Sequence, residues 1–229
     1  EYVFEFLKQG GHRGDDSLKR IMTSASEKME ENITAEPKNV KWLMYQGELY
    51  NLMAARFSPS YAGAAEEYFS RARALSPHRP QIYLELAQAR KLQGKITGMW
   101  LSIDELFKLL PEYLIGHINA ASLAIDVGDA GREKKEVEWL ESRGLGSDFL
   151  RDAYARDKRY DRAVHFQELY VAESGTAATP ELATQYAQLA ALYHLSGNDT
   201  KAREAARRAG EIDPSRVGEV KAFLQTLKN

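Results

Sequence analysis

The sequence predicts an all-α, right-handed superhelical solenoid of antiparallel helix hairpins, closed by a C-terminal capping helix. Three observations carry this. Segments 72–77 and 106–111 have the same form, and their closing prolines, Pro77 and Pro111, stand 34 residues apart; segment 209–214, ending in Pro214, repeats the form. Small residues (Gly47, Ala87, Ala121, Ala190) fall where the first helix of a hairpin must let its partner approach. Glycine follows that first helix at Gly94, Gly128 and Gly197, supplying the left-handed conformation of a helix C-cap, and proline beyond the second helix blocks its continuation.

The elements follow in order. Residues 1–36 read as an N-terminal helix and linker: Asp15 or Asp16 can cap a helix running to about Glu31, too polar for a regular hairpin. The solenoid then occupies 37–229, with units at about 39–77, 80–111, 114–141, 148–173 and 183–214 and a cap at 215–228. The first unit carries Gly47 and Tyr50, then Ala65, Phe69, Ala72 and Pro77, with about six extra residues around Phe57 to Tyr61. The second carries Tyr83, Leu86, Ala87, Gly94, Met99, Ile103, Leu106 and Pro111. In the third, His117, Ala121, Gly128, Val137 and Leu140 fit the frame before Gly144, Leu145, Gly146 and Ser147 break it. The fourth has a short first helix, 148–156, then Tyr160, Ala163, Phe166 and Tyr170; residues 174–180 are the clearest loop. The fifth has Tyr186, Leu189, Ala190 and Tyr193, the turn at Gly197, and Ala202, Ala206 and Ala209. Val217, Val220, Phe223, Leu224 and Leu227 give the cap one apolar face.

These positions resemble the tetratricopeptide-repeat family, most fully in the last unit. The departures are Arg90 where that family usually has tyrosine, and Met99 and Glu133 where it usually has alanine. The order of features from about Val40 to the end, with the run Pro80-Gln81-Ile82-Tyr83, resembles the C-terminal repeat regions of bacterial membrane proteins of the O-antigen ligase and polymerase superfamily. That resemblance implies an accessory module tethered to the bacterial inner membrane through a segment upstream, with glycan chemistry carried elsewhere in the protein. The first residue, Glu1, is not methionine, which fits a piece of something longer.

Composition excludes much chemistry. A formal net charge of -2 with no clustered basic face argues against nucleic acid; Arg203, Arg207, Arg208 and Arg216 alternate with Glu204, Glu211 and Glu219. Zero cysteines rule out disulfides, thiolate metal sites and a cysteine nucleophile, and no run of about 18 apolar residues marks a membrane span. The histidines, His12, His78, His117, His165 and His194, lack metal-ligand spacing. Paired carboxylates at Asp15-Asp16 and Glu66-Glu67 read as solvated charge, Gly10, Gly11 and Gly14 follow no strand, and Ser147 sits in no nucleophile elbow. No catalytic residue, cofactor or metal is expected.

Binding is expected instead along the concave face lined by first helices, at Lys41, Met44, Glu48, Gln81, Leu84, Glu85, Gln88, Lys91, Asn119, Ser122, Ala187 and His194. A basic clamp for a peptide C-terminus is excluded, because the corresponding positions hold Met44, Glu48, Glu85, Ile115 and Asn119. The mixed groove suits a protein or extended peptide. Tyr45, Gln81, Gln88 and Asn119 keep a glycan as the alternative ligand, while Trp42, Trp100 and Trp139 read as packing residues. The expected function is a protein–protein interaction module; a free-standing, cytoplasmic scaffold or cochaperone is the alternative to membrane tethering.

Overall fold

A helix with one apolar stripe must bury it, and in this chain the next helix in sequence supplies the cover. The computed structural model describes residues 15–175 and 177–227, so Gly10, Gly11, Gly14, His12 and Lys228 lie outside the described residues. Among the described residues there are twelve α-helices, two short 3-10 turns and no strand. None of these helices is long and apolar enough to cross a membrane. The chain divides into two compact units, 1–116 and 117–229.

The first unit contains α1 (Asp15–Ala35), α2 (Val40–Arg56), α3 (Ala62–Leu75), α4 (Pro80–Leu92) and α5 (Ile96–Leu109). Leu43, Ala65, Phe69, Ala72, Ile82, Leu86 and Ala89 are all fully buried and make one core. Gly47 is what lets α2 and α3 close: a Cβ there would stand 2.6–2.9 Å from three ring atoms of Phe69. The extra residues between these helices form a 3-10 turn, Pro59–Tyr61, whose start is capped by the Ser58 hydroxyl. In the second hairpin Met99 replaces the usual alanine and is completely buried beside Ile103 and Leu106.

Two sequence expectations are corrected in this unit. The N-terminal helix does not stop at Glu31 but runs to Ala35, and it behaves as the second helix of a repeat. It buries Leu18 and Met22 against Leu49 and Met53 of α2. It leaves through the same turn as α3 and α5: the Asn39, Arg79 and Tyr113 amides donate to the carbonyls of Glu36, Ser76 and Leu110, with Pro37, Pro77 and Pro111 inside the turns. Its polarity is absorbed by a buried network in which the Gln46 amide donates to Ser26 Oγ at 2.7 Å and to Glu30 at 3.3 Å. Glu66, expected as solvated charge, is instead a hub. Its carboxylate takes Arg90 Nε at 2.8 Å, Gln93 Nε2 at 2.9 Å and Lys95 Nζ at 2.8 Å. Arg90 also donates to the Gly98 carbonyl and to Ser102 Oγ, so the arginine that replaces the usual tyrosine ties α3, α4 and α5 together.

The second unit holds most of α6 (Leu114–Val127), then α7 (Ala130–Glu141), α8 (Asp148–Arg156), α9 (Tyr160–Glu173), α10 (Pro180–Leu195), α11 (Asp199–Ile212), the 3-10 turn Pro214–Arg216 and α12 (Val217–Thr226). Its core joins Leu140, Leu150, Tyr154, Phe166, Ala190 and Ala202, with Val220, Phe223 and Leu224 of α12 packed on its edge as a cap. The Glu133 that replaces alanine accepts from Tyr154 Oη at 2.9 Å and from Arg159 Nη1 at 2.8 Å, so a hydrogen-bonded bridge stands where a small residue would pack. Glycines 94, 128 and 197 all have φ between 72° and 82°, as their place after a first helix requires.

A candidate binding face on the first helices

In the first unit α2 and α4 are the first helices of adjacent hairpins, and they pack side by side. Asn51, 6% exposed, reaches from α2 to α4 and donates through Nδ2 to the Glu85 carbonyl at 3.2 Å and to Glu85 Oε2 at 2.9 Å. Its own Oδ1 is buried and has no donor among the described residues. Glu48, one turn earlier on α2, is half-buried. Burial and then the Glu85 carboxylate push its carboxyl up to about 7, against the pull of the Arg79 guanidinium. Burial likewise raises Glu85, partly offset by the bond from Asn51. The result is an acidic patch where α2 meets α4; of the other residues the sequence expects on this face, Lys41 and Gln81 are exposed and Leu84, Gln88 and Lys91 half-buried. Lys41 lies over the Tyr45 ring, 5.5 Å from its centre, and Tyr45 meets Trp42 edge-on.

Two of the residues expected on this face are withdrawn from it. Met44 is 3% exposed and belongs to the core between α2 and α3, and Ser122 is 3% exposed. An inward side chain at either position offers nothing to a ligand. In the second unit Asn119 and Ala187 are half-buried on α6 and α10. His194 is exposed, but its Nδ1 lies 2.7 Å from Asp199 Oδ1 and its ring meets Phe223 of the cap edge-on, which commits it to the α10–α11 turn. His117 is also structural: it is buried, stacks on Trp139 with ring centres 3.7 Å apart, and places Nδ1 2.5 Å from Glu136 Oε2. No group of three or more His, Asp or Glu side chains among the described residues is placed to hold a metal.

Asn51 is the residue that sequence reasoning missed. The sequence sets Glu48 and Glu85 each on the face but does not show that they meet. The repeat frame contained the signal: allowing for the insertion, Glu85 corresponds to Tyr45, one helical turn before Glu48.

No family model and no curated protein matches the chain. Solved structures do. A tetratricopeptide repeat protein from Parabacteroides merdae is 15% identical, with 100% of this chain and 96% of that one covered at a TM-score of 0.50. BtubC from P. vanneervenii is 18% identical over 87% of this chain and 91% of its own, at 0.51. The fold is of the tetratricopeptide type. A chain of the APC/C hetero-tetramer Cut9–Hcn1 reaches 0.52 at 13% identity, and this protein spans 41% of its length. Likenesses at these identities carry the fold alone. They lend no support to the envelope-glycan resemblance, which rests on the sequence.

Proposed function

We propose that this protein is a non-catalytic interaction module whose α2–α4 face takes an extended peptide or a segment of a partner protein. The observation that carries the reading is the packing of two adjacent first helices, α2 and α4, joined by the Asn51–Glu85 hydrogen bond, with the buried Asn51 oxygen left without a donor. Alternating polar and apolar side chains on a continuous helical surface suit a strand-like ligand that hydrogen-bonds at intervals. Protein partnership also accords with the Cut9–Hcn1 hetero-tetramer, one member of which shares the fold.

The direct test is photo-crosslinking in the source cell with p-benzoylphenylalanine at Gln88, against a control at the exposed Glu67 on α3. A partner captured at Gln88 and not at Glu67, whose purified form binds wild type more tightly than Q88A, supports the face. Equal capture at both positions, or at neither, removes it. The finer reading attaches the module to a bacterial envelope glycan ligase or polymerase, and it rests on the order of features from Val40 onward. It expects a reading frame that continues upstream of Glu1 through about ten hydrophobic spans. A start codon just before Glu1 would leave a free-standing scaffold.

A further inference from the structure

We infer that Glu48, Glu85 and Asn51 together form a subsite for the side chain of a lysine or arginine in the bound segment. The inference rests on the peptide-binding reading of the α2–α4 face and names what that face selects.

Asn51 of α2 and Glu85 of α4 meet through a hydrogen bond, and the Glu48 carboxyl, one turn before Asn51, lies near enough to Glu85 to feel its charge. Glu48 makes no hydrogen bond or ion pair among the described residues, though it feels the charges of Glu85 and Arg79. Glu85 is satisfied on one oxygen by Asn51 Nδ2, and the Asn51 oxygen has no donor although the side chain is nine-tenths buried. Buried polar atoms are rarely left without partners, and an orphaned acceptor beside two carboxylates calls for a donor that carries positive charge. The chain's own cations do not fill that place. Arg79, exposed at the head of α4, engages Gln81 at 3.3 Å and reaches Glu48 only through its field. On the flanking helices Glu30 engages Gln46 and Tyr68, Glu66 engages Arg90 and Lys95, and Arg73 engages Glu105. Two carboxylates and one amide are too few ligands for a dedicated calcium cage, which takes six to eight oxygens. A peptide ammonium or guanidinium, with three to five donors on a long stem, matches both the count and the open face.

Binding such a cation must also move a proton. With its carboxyl near neutrality, part of Glu48 is protonated at pH 6.5–7, and a positive charge brought against it drives that proton off. Affinity therefore rises with pH between about 5 and 8, and a structural role for Glu48 alone would not produce that linkage.

The test is selection of a phage-displayed library of random twelve-residue peptides on the purified chain, followed by calorimetry with the synthetic peptides recovered. We expect those peptides to share a lysine or arginine. Replacing that residue by norleucine, or Glu48→Gln or Glu85→Gln in the protein, weakens binding tenfold or more, whereas Glu67→Gln, an equal change in net charge on α3, leaves it unaltered. Wild type releases a proton on binding, seen by comparing buffers of different ionisation enthalpy, and E48Q releases less. Thermal melts confirm that each variant is folded. Peptides that lose affinity in Q88A, lack a basic residue and bind E48Q as well as wild type would overturn the inference and leave the binding face standing. A library that yields no binder would sink both.

Discussion

Five of the helix ends share one hydrogen-bonded turn. The amides of Lys95, Asp129, Leu145, Arg159 and Asn198 each donate to the carbonyl five residues earlier, and the residue before each amide has positive φ. Four of those residues are glycine; the fifth is Lys158, at φ 61°. A side chain in that conformation crowds its own backbone, by roughly 1–2 kcal/mol. Replacing Lys158 with glycine should therefore stabilise the chain by about 0.5–1 kcal/mol, after the greater entropy of glycine in the unfolded state is set against the relief. Urea denaturation reads this directly, and a loss of stability would mean that Lys158 contributes contacts that outweigh the strain. Gly146 works differently. A Cβ there would stand 2.3 Å from the Tyr170 backbone nitrogen and 2.6 Å from its Cα, and backbone cannot step aside as a side-chain tip can. G146A should cost about 3 kcal/mol or more, by the same denaturation experiment, because the loop must lift off α9. Gly146 sits in a segment, 144–147, that the sequence marks only as a break. The break was legible from the glycines, but the reason for Gly146 lies in a residue 24 positions later and needs the folded chain.

At the scale of the element, the hairpins were legible because their signals are local. Pro77, Pro111 and Pro214 stand two residues beyond the ends of α3, α5 and α11, and the short α8 runs from Asp148 to Arg156 as its polar boundaries require. What stayed hidden is how departures from the repeat pattern are compensated. Arg90 in place of tyrosine and Glu66 in a run of carboxylates look like surface residues when read along the chain. They become one cluster only when α3 lies against α4. Burial alone would raise the Glu66 carboxyl, but hydrogen bonds from Lys95, Arg90 and Gln93 hold it down at about 2. Glu66→Gln should remove these charge-assisted bonds and cost about 1–3 kcal/mol at pH 7, with the difference from wild type shrinking as pH falls from about 4.5 toward 2. Equal stability of the two proteins at pH 7 would reduce the hub to a surface ion pair. The same limit hid the polar α1: Ser26 and Glu30 read as solvated until Gln46 and Tyr68 meet them.

For the molecule as a whole, these carboxylates set opposite limbs of one stability curve. Glu66 has a folded pKa below its unfolded value, so its contribution is complete above about pH 4.5 and is lost as pH falls toward 2. Glu48 is raised, and Glu85 with it, so between about 4.5 and 7 the folded chain holds more protons than the unfolded one. Stability then declines as pH climbs through that window and levels off once Glu48 is ionised in both states. Solvent reaches the half-exposed Glu48, and screening reduces its share to on the order of 1 kcal/mol. In a chain of this length that corresponds to about 2–4 °C in Tm. E48Q should therefore melt about 2–4 °C above wild type at pH 8 and together with it at pH 4, where the wild-type carboxyl is largely neutral in both folded and unfolded chains. A difference that was largest at pH 4, or absent at pH 8, would show that Glu48 ionises without cost in the folded chain. A bound cation against Glu48 would offset the same cost, so the melting curves and the peptide selection probe one carboxylate from two sides.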